Sequence, residues 1–553
     1  MDDDKTQMSE SLLGGGDSSA VINSDFNDDD DYNNTNTMGV NFGNDDDETN
    51  RTSGQQQQQR DELTLLFGQR HNNNHDDDTN QQQQSPQIPE YRDAPFAIAF
   101  LLHAVVVVVC SIAWGFSALK QQQQQPSSDE DDYDNNNQED GNNNSSGNAE
   151  NVYNLSGLIW LSLITCLVSL GISAMSLKVM MHHAEILIQG SLIGSCCFLV
   201  LFAILFFIDN EIVIGTVWTV CSLFTAYYAK CVWNRIPFAA ANLRTALSAI
   251  QTNAGVCVLA YGIAIVAMVW TVIWSLAVIG VSFKESTCSG GSSTGDVCQL
   301  HMNAVSIVCL ILSYFWTSQV LKNVLHVTVS GVIGTWWFYP QDALSVFSPA
   351  IIDSFRRATT YSFGSICMGS LLVAIIQTME AIAKSARQNN RDGILLCIVE
   401  CLLQMLARIA IYFNKWAYCY VGLYGFDYIS SGKKAMELFE ARGWTTIITD
   451  DLVQRSLTLI TIVISALSGI VGMVLSKAVG WSTSSGDDGI VFFACFLIGF
   501  SVAQIFISVV VSAVDTVIVA FAEAPAEFNT HHPALYNNMV QKWRLVFPQE
   551  CGF

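Results

Sequence analysis

Long apolar runs alternate with polar segments along the chain from about residue 94 onward. The first run holds no charge and includes five consecutive valines between Ala104 and Cys110. A bilayer core of about 30 Å is crossed by about 20 helical residues, and ten runs approach or exceed that length. The pattern therefore predicts an all-α polytopic membrane protein with about ten transmembrane helices. The predicted spans are 95–119, 156–177, 186–208, 211–233, 254–282, 302–327, 362–384, 394–422, 452–478 and 489–521.

The positions of lysine and arginine predict the orientation of these spans. Most basic residues of the predicted loops fall on one side, which places both termini in the cytoplasm. These residues are Lys178, Arg235, Arg244, Arg356, Arg357, Lys433, Lys434 and Arg442.

The connection 385–393 departs from this scheme, because Lys384, Arg387 and Arg391 would then lie outside. The span after it also carries Glu400 and Arg408, and charges are costly in lipid. Two explanations are open. Either this span is buried among other helices, or part of it lies at the cytoplasmic surface and a re-entrant piece near 326–338 restores the count.

Polar low-complexity segments flank the first span. Residues 1–93 and the outer loop 120–155 are rich in Asp, Asn and Gln, which predicts disorder because little apolar surface can be buried. Residues 1–155 hold 29 of the 50 acidic and 6 of the 26 basic side chains, so the net charge of −24 is local. It therefore indicates no particular partner, and no nucleic-acid binding is expected. The remaining predicted regions are a membrane domain (94–521), a cytoplasmic helix within it (426–451) and a cytoplasmic C-terminal tail (522–553).

The predicted outer loops contain candidate covalent modifications. Cys288 and Cys298 share a polar loop, where they form either a disulfide or two unpaired thiols. Asn143 and Asn144 match the N-glycosylation sequon, although an Asn-rich segment also produces such matches by chance. No catalytic motif and no His/Cys cluster with metal-ligand spacing is present, so we predict neither an enzyme nor a cofactor.

Carboxylates and aromatic rings inside the spans are the candidate binding groups. Glu380 and Asp515 stand in apolar surroundings, and each faces either a cavity or, by snorkelling, the membrane surface. Trp270, Tyr314 and Trp316 lie in the fifth and sixth spans. Aromatic faces attract quaternary ammonium groups, so rings combined with a carboxylate would suit a small organic cation. These five residues form the predicted substrate site.

Three blocks of this sequence resemble the choline transporter-like family, which includes yeast and plant members. The blocks are 314–337, beginning Tyr-Phe-Trp-Thr-Ser-Gln-Val-Leu-Lys-Asn, 361–377, beginning Tyr-Ser-Phe-Gly-Ser, and 412–425, beginning Tyr-Phe-Asn-Lys-Trp. Segments 235–240 and 521–533 add to the likeness, which covers about residues 230–545. The resemblance implies about ten spans, cytoplasmic termini, a long first outer loop and transport of choline-like cations.

Two functional hypotheses follow. The first is a secondary transporter that moves choline or a related small organic cation by alternating access without ATP, with membrane lipid as its surroundings. We expect it in the plasma membrane, with an internal membrane as the alternative. The second is a non-transporting protein that organises lipid homeostasis or vesicle traffic through its disordered tail.

Overall fold

The computed structural model describes residues 90–115, 155–285, 287–288, 298–299, 303–389, 394–443, 452–479 and 487–547. Almost all of these residues are helical, which confirms the predicted all-α polytopic fold. Residues 1–89 of the predicted N-terminal tail and the two sequon residues, Asn143 and Asn144, lie outside the described residues.

Besides a π-helical segment (Ser111–Gly115) and two 3₁₀ helices (Trp233–Arg235 and Pro340–Ala343), the described chain contains fourteen α-helices and one two-stranded ribbon. In chain order they are α1 (Ala94–Cys110), α2 (Leu155–Ile208), α3 (Ile212–Val232), α4 (Ile236–Thr252), α5 (Gly255–Glu285), β1 (Thr287–Cys288), β2 (Cys298–Gln299), α6 (Ala304–Phe338), α7 (Pro349–Thr359), α8 (Phe363–Asn389), α9 (Ile394–Tyr424), α10 (Tyr428–Ala441), α11 (Leu452–Val479), α12 (Asp487–Glu523), α13 (Pro525–His531) and α14 (Pro533–Val546). Within the described ranges, nine helical segments are long and apolar enough to cross a membrane.

Helix α2 supplies two of the ten predicted spans. Its 54 residues would extend about 81 Å as one rod, far more than a bilayer needs. His183 has non-helical backbone angles, and the direction of contact with α11 reverses across it. Along α2 before His183, the residue numbers of the contacting positions on α11 decrease, and after His183 they increase. The two halves of α2 therefore run in opposite directions and form a helical hairpin. The contacts are Thr165 with Gly472, Ser169 with Ser468, Ser191 with Ser456, and Gly194 with Leu459.

Helix α6 is a continuous helix of 35 residues and about 52 Å. The Asn303 side chain caps its start by accepting a hydrogen bond from the Val305 amide. Residues 326–338 continue this helix, so the re-entrant piece considered from the sequence is not present there. At about 52 Å, α6 is longer than the roughly 30 Å core of a bilayer.

We call the end of the bundle where α1 begins and α12 ends the tail side. The Asp93 carboxylate accepts hydrogen bonds there from the Ser365 hydroxyl (2.6 Å) and the Tyr428 amide (3.1 Å), which ties the starts of α1, α8 and α10 together. On the same side, α14 of the C-terminal segment packs on the buried helix α4. Trp543 Nε1 donates to Asn242 Oδ1 across this contact, at 2.9 Å.

The connection between α8 and α9 lies opposite the tail side, because these two helices are consecutive spans that pack together. Arg387 near the end of α8 forms an ion pair with Glu400 in α9, with 3.0 Å between Nε and Oε2. Glu400 is buried, and its charge is compensated by the arginine. The ion pair thus gives Arg387, one of the basic residues of this connection, a counter-charge on the side opposite the tail side.

The β1–β2 ribbon pairs its strands antiparallel and sets Cys288 directly opposite Cys298. Residues opposite each other in an antiparallel pair lie about 4.5–5.5 Å apart at Cα, a separation that disulfides accept. The backbone pairing is thus compatible with the predicted disulfide, which stays a prediction.

Candidate functional site

Four rings from three helices form a contact network that we call the aromatic cluster: Phe100 and His103 of α1, Trp270 of α5 and Trp316 of α6. Trp316 meets Phe100 edge-on at 5.3 Å and stacks on His103 at 5.1 Å between ring centroids. Trp270 lies 6.2 Å from His103 on the same measure. Trp316 is buried, and its Nε1 donates to the Cys367 carbonyl at 3.1 Å. The cluster therefore joins α1, α5 and α8 to α6.

Three buried polar atoms at this level of the bundle have no hydrogen-bond partner among the described residues. They are Nδ1 of His103, Nε1 of Trp270 and Oγ1 of Thr317, the residue that follows Trp316. An unmade hydrogen bond of a buried group costs about 1–3 kcal/mol. Each of these atoms would consequently be stabilised by a water molecule or a polar ligand.

Further along α6 toward the tail side, amide and hydroxyl side chains link α6 to α8, and α9 to α8. The α6–α8 links are Gln319 Nε2 to Gln377 Oε1 at 3.1 Å and Asn323 Nδ2 to Ser370 Oγ at 2.9 Å, and the α9–α8 link is Tyr418 Oη to the Ile366 carbonyl at 3.1 Å. Polar contacts of α6 thus recur between the aromatic cluster and the tail side.

A second group, which we call the ionic cluster, lies further along α6: Lys322 and His326 of α6, Lys415 of α9 and Asp515 of α12. Lys415 Nζ lies 2.8 Å from Oδ1 of Asp515, whose residue is only 4% exposed. His326 Nδ1 is hydrogen-bonded to the Ser512 hydroxyl at 2.9 Å. Buried charges in a membrane bundle are costly and are tolerated where they are paired or hydrogen-bonded, as here.

Lys322 differs from its neighbours in the ionic cluster. Its side chain is exposed, although it lies within electrostatic range of Asp515. It forms no ion pair or hydrogen bond with any described residue. Lys415 and Lys322 therefore both interact with the one carboxylate of Asp515.

The spacing of polar residues on α6 explains the position of the ionic cluster. Lys322, His326 and Ser330 recur at intervals of four and so lie on one face of the helix. Ser330 extends the face toward α12 through a 2.8 Å hydrogen bond with Thr516. Trp316 is turned about 120° away from Lys322, toward α8 and α1. One helix thus presents a ring to one neighbour and charges to another.

Three of the five predicted site residues belong to one of the two clusters, and two lie outside both. Trp270 and Trp316 belong to the aromatic cluster, and Asp515 belongs to the ionic cluster, where burial and its lysine partner exclude the snorkelling alternative. Tyr314 contacts Trp274 at 5.0 Å and lies outside both clusters. Glu380 is half-buried and also lies outside them, without an ion pair to any described residue.

Sequence reasoning did not single out His103, Lys322, His326 or Lys415. The signal was nevertheless present, because each of these residues falls inside a predicted apolar span. A lysine in such a span requires a partner or a cavity as much as a carboxylate does. Lys322 and His326 are moreover one turn apart, which places them on the same face of a helix.

These features define a multi-pass integral membrane protein whose central helices carry rings and charges in their interior. A family model described as plasma-membrane choline transporter matches residues 216–526. That region is more than half of the chain, and the protein belongs to this family, as the resemblance of the three sequence blocks predicts.

Individual relatives agree with this assignment. Protein PNS1 of Gibberella zeae is 30% identical over 354 residues, which cover 60% of this chain and 63% of that protein. A CTL-like protein of Dictyostelium discoideum is 30% identical over 366 residues, covering 65% and 62%. Protein PNS1 of Eremothecium gossypii is 25% identical over 474 residues, 82% of each chain. The match to the first two spans about three fifths of their length.

Proposed function

We propose that this protein is a secondary transporter of choline or a related small organic cation, which it moves by alternating access without ATP and without chemical change. The observation that carries the proposal is the coexistence of an aromatic cluster and an ionic cluster on one central helix, α6. Membership of a family described as choline transporters supports the same substrate class.

The aromatic cluster is the place we assign to the cation. The rings of Phe100 and His103 both contact Trp316, and cation–π attraction to an aromatic ring contributes about 2 kcal/mol or more when water is excluded. A quaternary ammonium needs no hydrogen-bond donor, whereas the hydroxyl group of choline can accept from Trp270 Nε1 or bond to Thr317 Oγ1, two of the three atoms left without partners. Rings and orphaned polar atoms together match both parts of such a molecule.

The ionic cluster is the electrostatic barrier that a transported cation must pass. Two ammonium groups and one carboxylate give it a formal excess of positive charge when His326 is neutral. Two unit charges about 8 Å apart repel each other by about 2 kcal/mol at an effective dielectric constant of about 20. Passage of a cation is therefore favoured when Lys322 releases its proton. Asp515 stays compensated throughout because Lys415 remains beside it.

Flux of radiolabelled choline into vesicles that contain the purified full-length protein tests this function. We expect uptake above that of empty vesicles, and a dependence on the pH gradient that Lys322→Gln removes. Lys433→Gln is the matched control, because Lys433 is exposed on α10 and pairs with Glu437. Flux no greater than in empty vesicles, at several pH gradients, would reject the proposal.

Deletion of residues 1–90 separates this function from the second sequence-based hypothesis, a tail-driven organiser of lipid homeostasis or vesicle traffic. The residues of both clusters follow this segment in the chain, so a transporter should keep its flux, whereas a tail-driven organiser should lose its partners. We assign the protein to the plasma membrane with cytoplasmic termini. Labelling of single introduced cysteines from either side of intact cells checks both statements.

A further inference from the structure

A second group of rings lies beside a carboxylate at the tail-side ends of α9 and α12. It consists of Tyr420, Tyr424 and Phe426 together with Glu523, and we call it the tail-side cage. Tyr420 Oη donates to Glu523 Oε2 at 2.5 Å, and the Tyr420 and Tyr424 rings are 5.2 Å apart. Phe426 stacks on Tyr424 with 5.9 Å between centroids. Neither the aromatic nor the ionic cluster includes any of these residues.

The cage contains a polar atom whose bonding is incomplete. The Tyr424 hydroxyl is buried and has no hydrogen-bond partner among the described residues. Tyr424 is only 3% exposed, and it lies within electrostatic range of Glu523. Phe426 and Glu523 are half-buried, whereas Tyr420 and Tyr424 are buried. The accessible part of the cage is therefore formed by Phe426 and Glu523.

A cation already occupies the accessible side of this cage. Lys434 of α10 places its ammonium 3.6 Å from the centroid of the Phe426 ring. Lys434 is exposed, and its neighbour Lys433 points to Glu437 instead, with 3.7 Å between Nζ and Oε1. One of two adjacent lysines therefore rests on the cage while the other does not.

We propose that the tail-side cage is a second binding site for a quaternary or small organic ammonium ion, and that Lys434 is a tethered competitor for it. Aromatic faces and a carboxylate attract such ions by cation–π and charge attraction. The lysine ammonium makes the same kind of contact, so it and a free cation exclude each other at Phe426. The site rests on the proposed function, because it would hold the transported cation on the tail side of the ionic cluster.

The position of the cage along α9 fits this role. Tyr420 lies five residues beyond Lys415, a distance of about 7.5 Å along the helix toward the tail side. A cation that has passed the ionic cluster therefore meets Tyr420 and Glu523 next. The charges of the ionic cluster sum to an excess of positive charge, whereas Glu523 adds a negative charge to the cage. The cage therefore favours release of the cation from the interior of the bundle.

Titration calorimetry of the purified full-length protein with tetramethylammonium chloride tests the cage. Lys434→Gln should tighten binding about two- to fivefold, the effect of removing one exposed cation–π competitor. Lys433→Gln is the matched control and should leave binding unchanged. Glu523→Gln should weaken binding at least tenfold. The same variants are then measured in a Trp316→Leu background. Because this substitution removes the central ring of the aromatic cluster, the binding heat that remains is assigned to the cage.

Each result decides the matter. Equal affinity of Lys434→Gln and Lys433→Gln, or no tetramethylammonium binding in any variant, overturns the cage as a cation site. Choline flux measured on the same preparations keeps the two proposals apart. Flux without the predicted order of affinities leaves the transporter standing and removes the cage. The predicted order of affinities without choline flux supports the cage and rejects the transporter.

Discussion

Helix α12 takes part in two buried polar seams that differ in kind. Near its start it packs against α2 and α11 through small residues and hydroxyl groups: Gly499 of α12 lies against Ser468 of α11, whose hydroxyl accepts a hydrogen bond from Ser169 of α2 at 2.8 Å. Near its end it packs against α6 and α9 through the ionic cluster, with Asp515 and Lys415 at 2.8 Å. Both seams are buried among spans, yet the first holds no charge.

The difference teaches which buried polarity is structural. Ser468 satisfies itself by donating to the Ile464 carbonyl of its own helix at 2.8 Å, so its burial costs little. Small residues there let helices approach closely, which is the usual basis of packing in membranes. An ammonium or carboxylate has no such internal partner and needs a counter-charge from another helix. The charged seam is therefore the one to which we assign transport.

The largest expected effect follows from leaving Asp515 without its partner. Lys415→Met should destabilise the protein by about 3 kcal/mol or more, because a buried carboxylate would lose its ion pair. The double variant Lys415→Met/Asp515→Asn should recover most of the thermal stability in detergent but not the choline flux. Recovery of flux in the double variant would show that the charged seam serves packing alone.

The carboxylate alone is tested by Asp515→Asn, which keeps its shape. Choline flux should fall at least tenfold while the protein remains folded. Glu380→Gln is the matched comparison, since Glu380 is also a carboxylate within a span but lies outside both clusters, and its effect should be smaller. Equal losses in the two variants would contradict the distinction between the seams.

Loss of the central ring should act on affinity. Trp316→Leu should raise the half-saturating choline concentration about thirtyfold, which corresponds to loss of a cation–π contact of about 2 kcal/mol. Tyr314→Leu, which removes a neighbouring ring outside the cluster, should shift it much less. Concentration dependence of initial uptake in vesicles measures both, and a larger shift for Tyr314 would move the binding site elsewhere.

The hydroxyl seam should tolerate change. Ser468→Ala removes the bond with Ser169 and should lower stability by less than about 1 kcal/mol, because interhelical hydrogen bonds in membranes contribute about 0.6 kcal/mol on average. Flux per folded molecule should be unchanged. A loss of flux comparable to that of Asp515→Asn would mean that this seam also moves during transport.

A titratable group outside both seams should affect stability but not transport. Burial lowers the pKa of His532 below the ordinary histidine value of 6.5. His532 stacks on Trp336 with 4.0 Å between centroids. Because the unfolded state binds the proton more tightly, the contribution of His532 is present above pH 6.5 and is lost as the pH falls through the lowered pKa. Protease sensitivity of residues 533–547 should rise with acidification in the wild type and lose this dependence in His532→Phe.

Much of the fold could be predicted from apolar run length alone, because the bilayer forces every backbone polar group into a helix. The ten predicted runs correspond to the described helices, with two of them joined in the α2 hairpin. The reversal at His183 falls between the predicted spans 156–177 and 186–208, as two consecutive spans require, but the helical conformation of most of their connection was not predicted. The C-terminal helices α13 and α14 were also missed, because segments of mixed polarity give a weak periodic signal.

The site was predictable in part for a related reason. Trp270, Trp316 and Asp515 stand out because rings and carboxylates are unusual in the middle of apolar spans. Whether such a residue meets others depends on helix rotation, which sequence period does not reveal for helices that are apolar on every face. Tyr314 is only two residues from Trp316, yet it points to Trp274 on another side of α6.

The length of α6 has a mechanical consequence. Its final turn is gripped by the C-terminal segment, with Trp337 stacked on Phe528 at 4.0 Å and its Nε1 bonded to the Ala524 carbonyl at 3.1 Å. Because α13 is held against this final turn, a movement of α6 would displace α13 with it. A pair of fluorescent labels, one on each helix, would detect whether they move together.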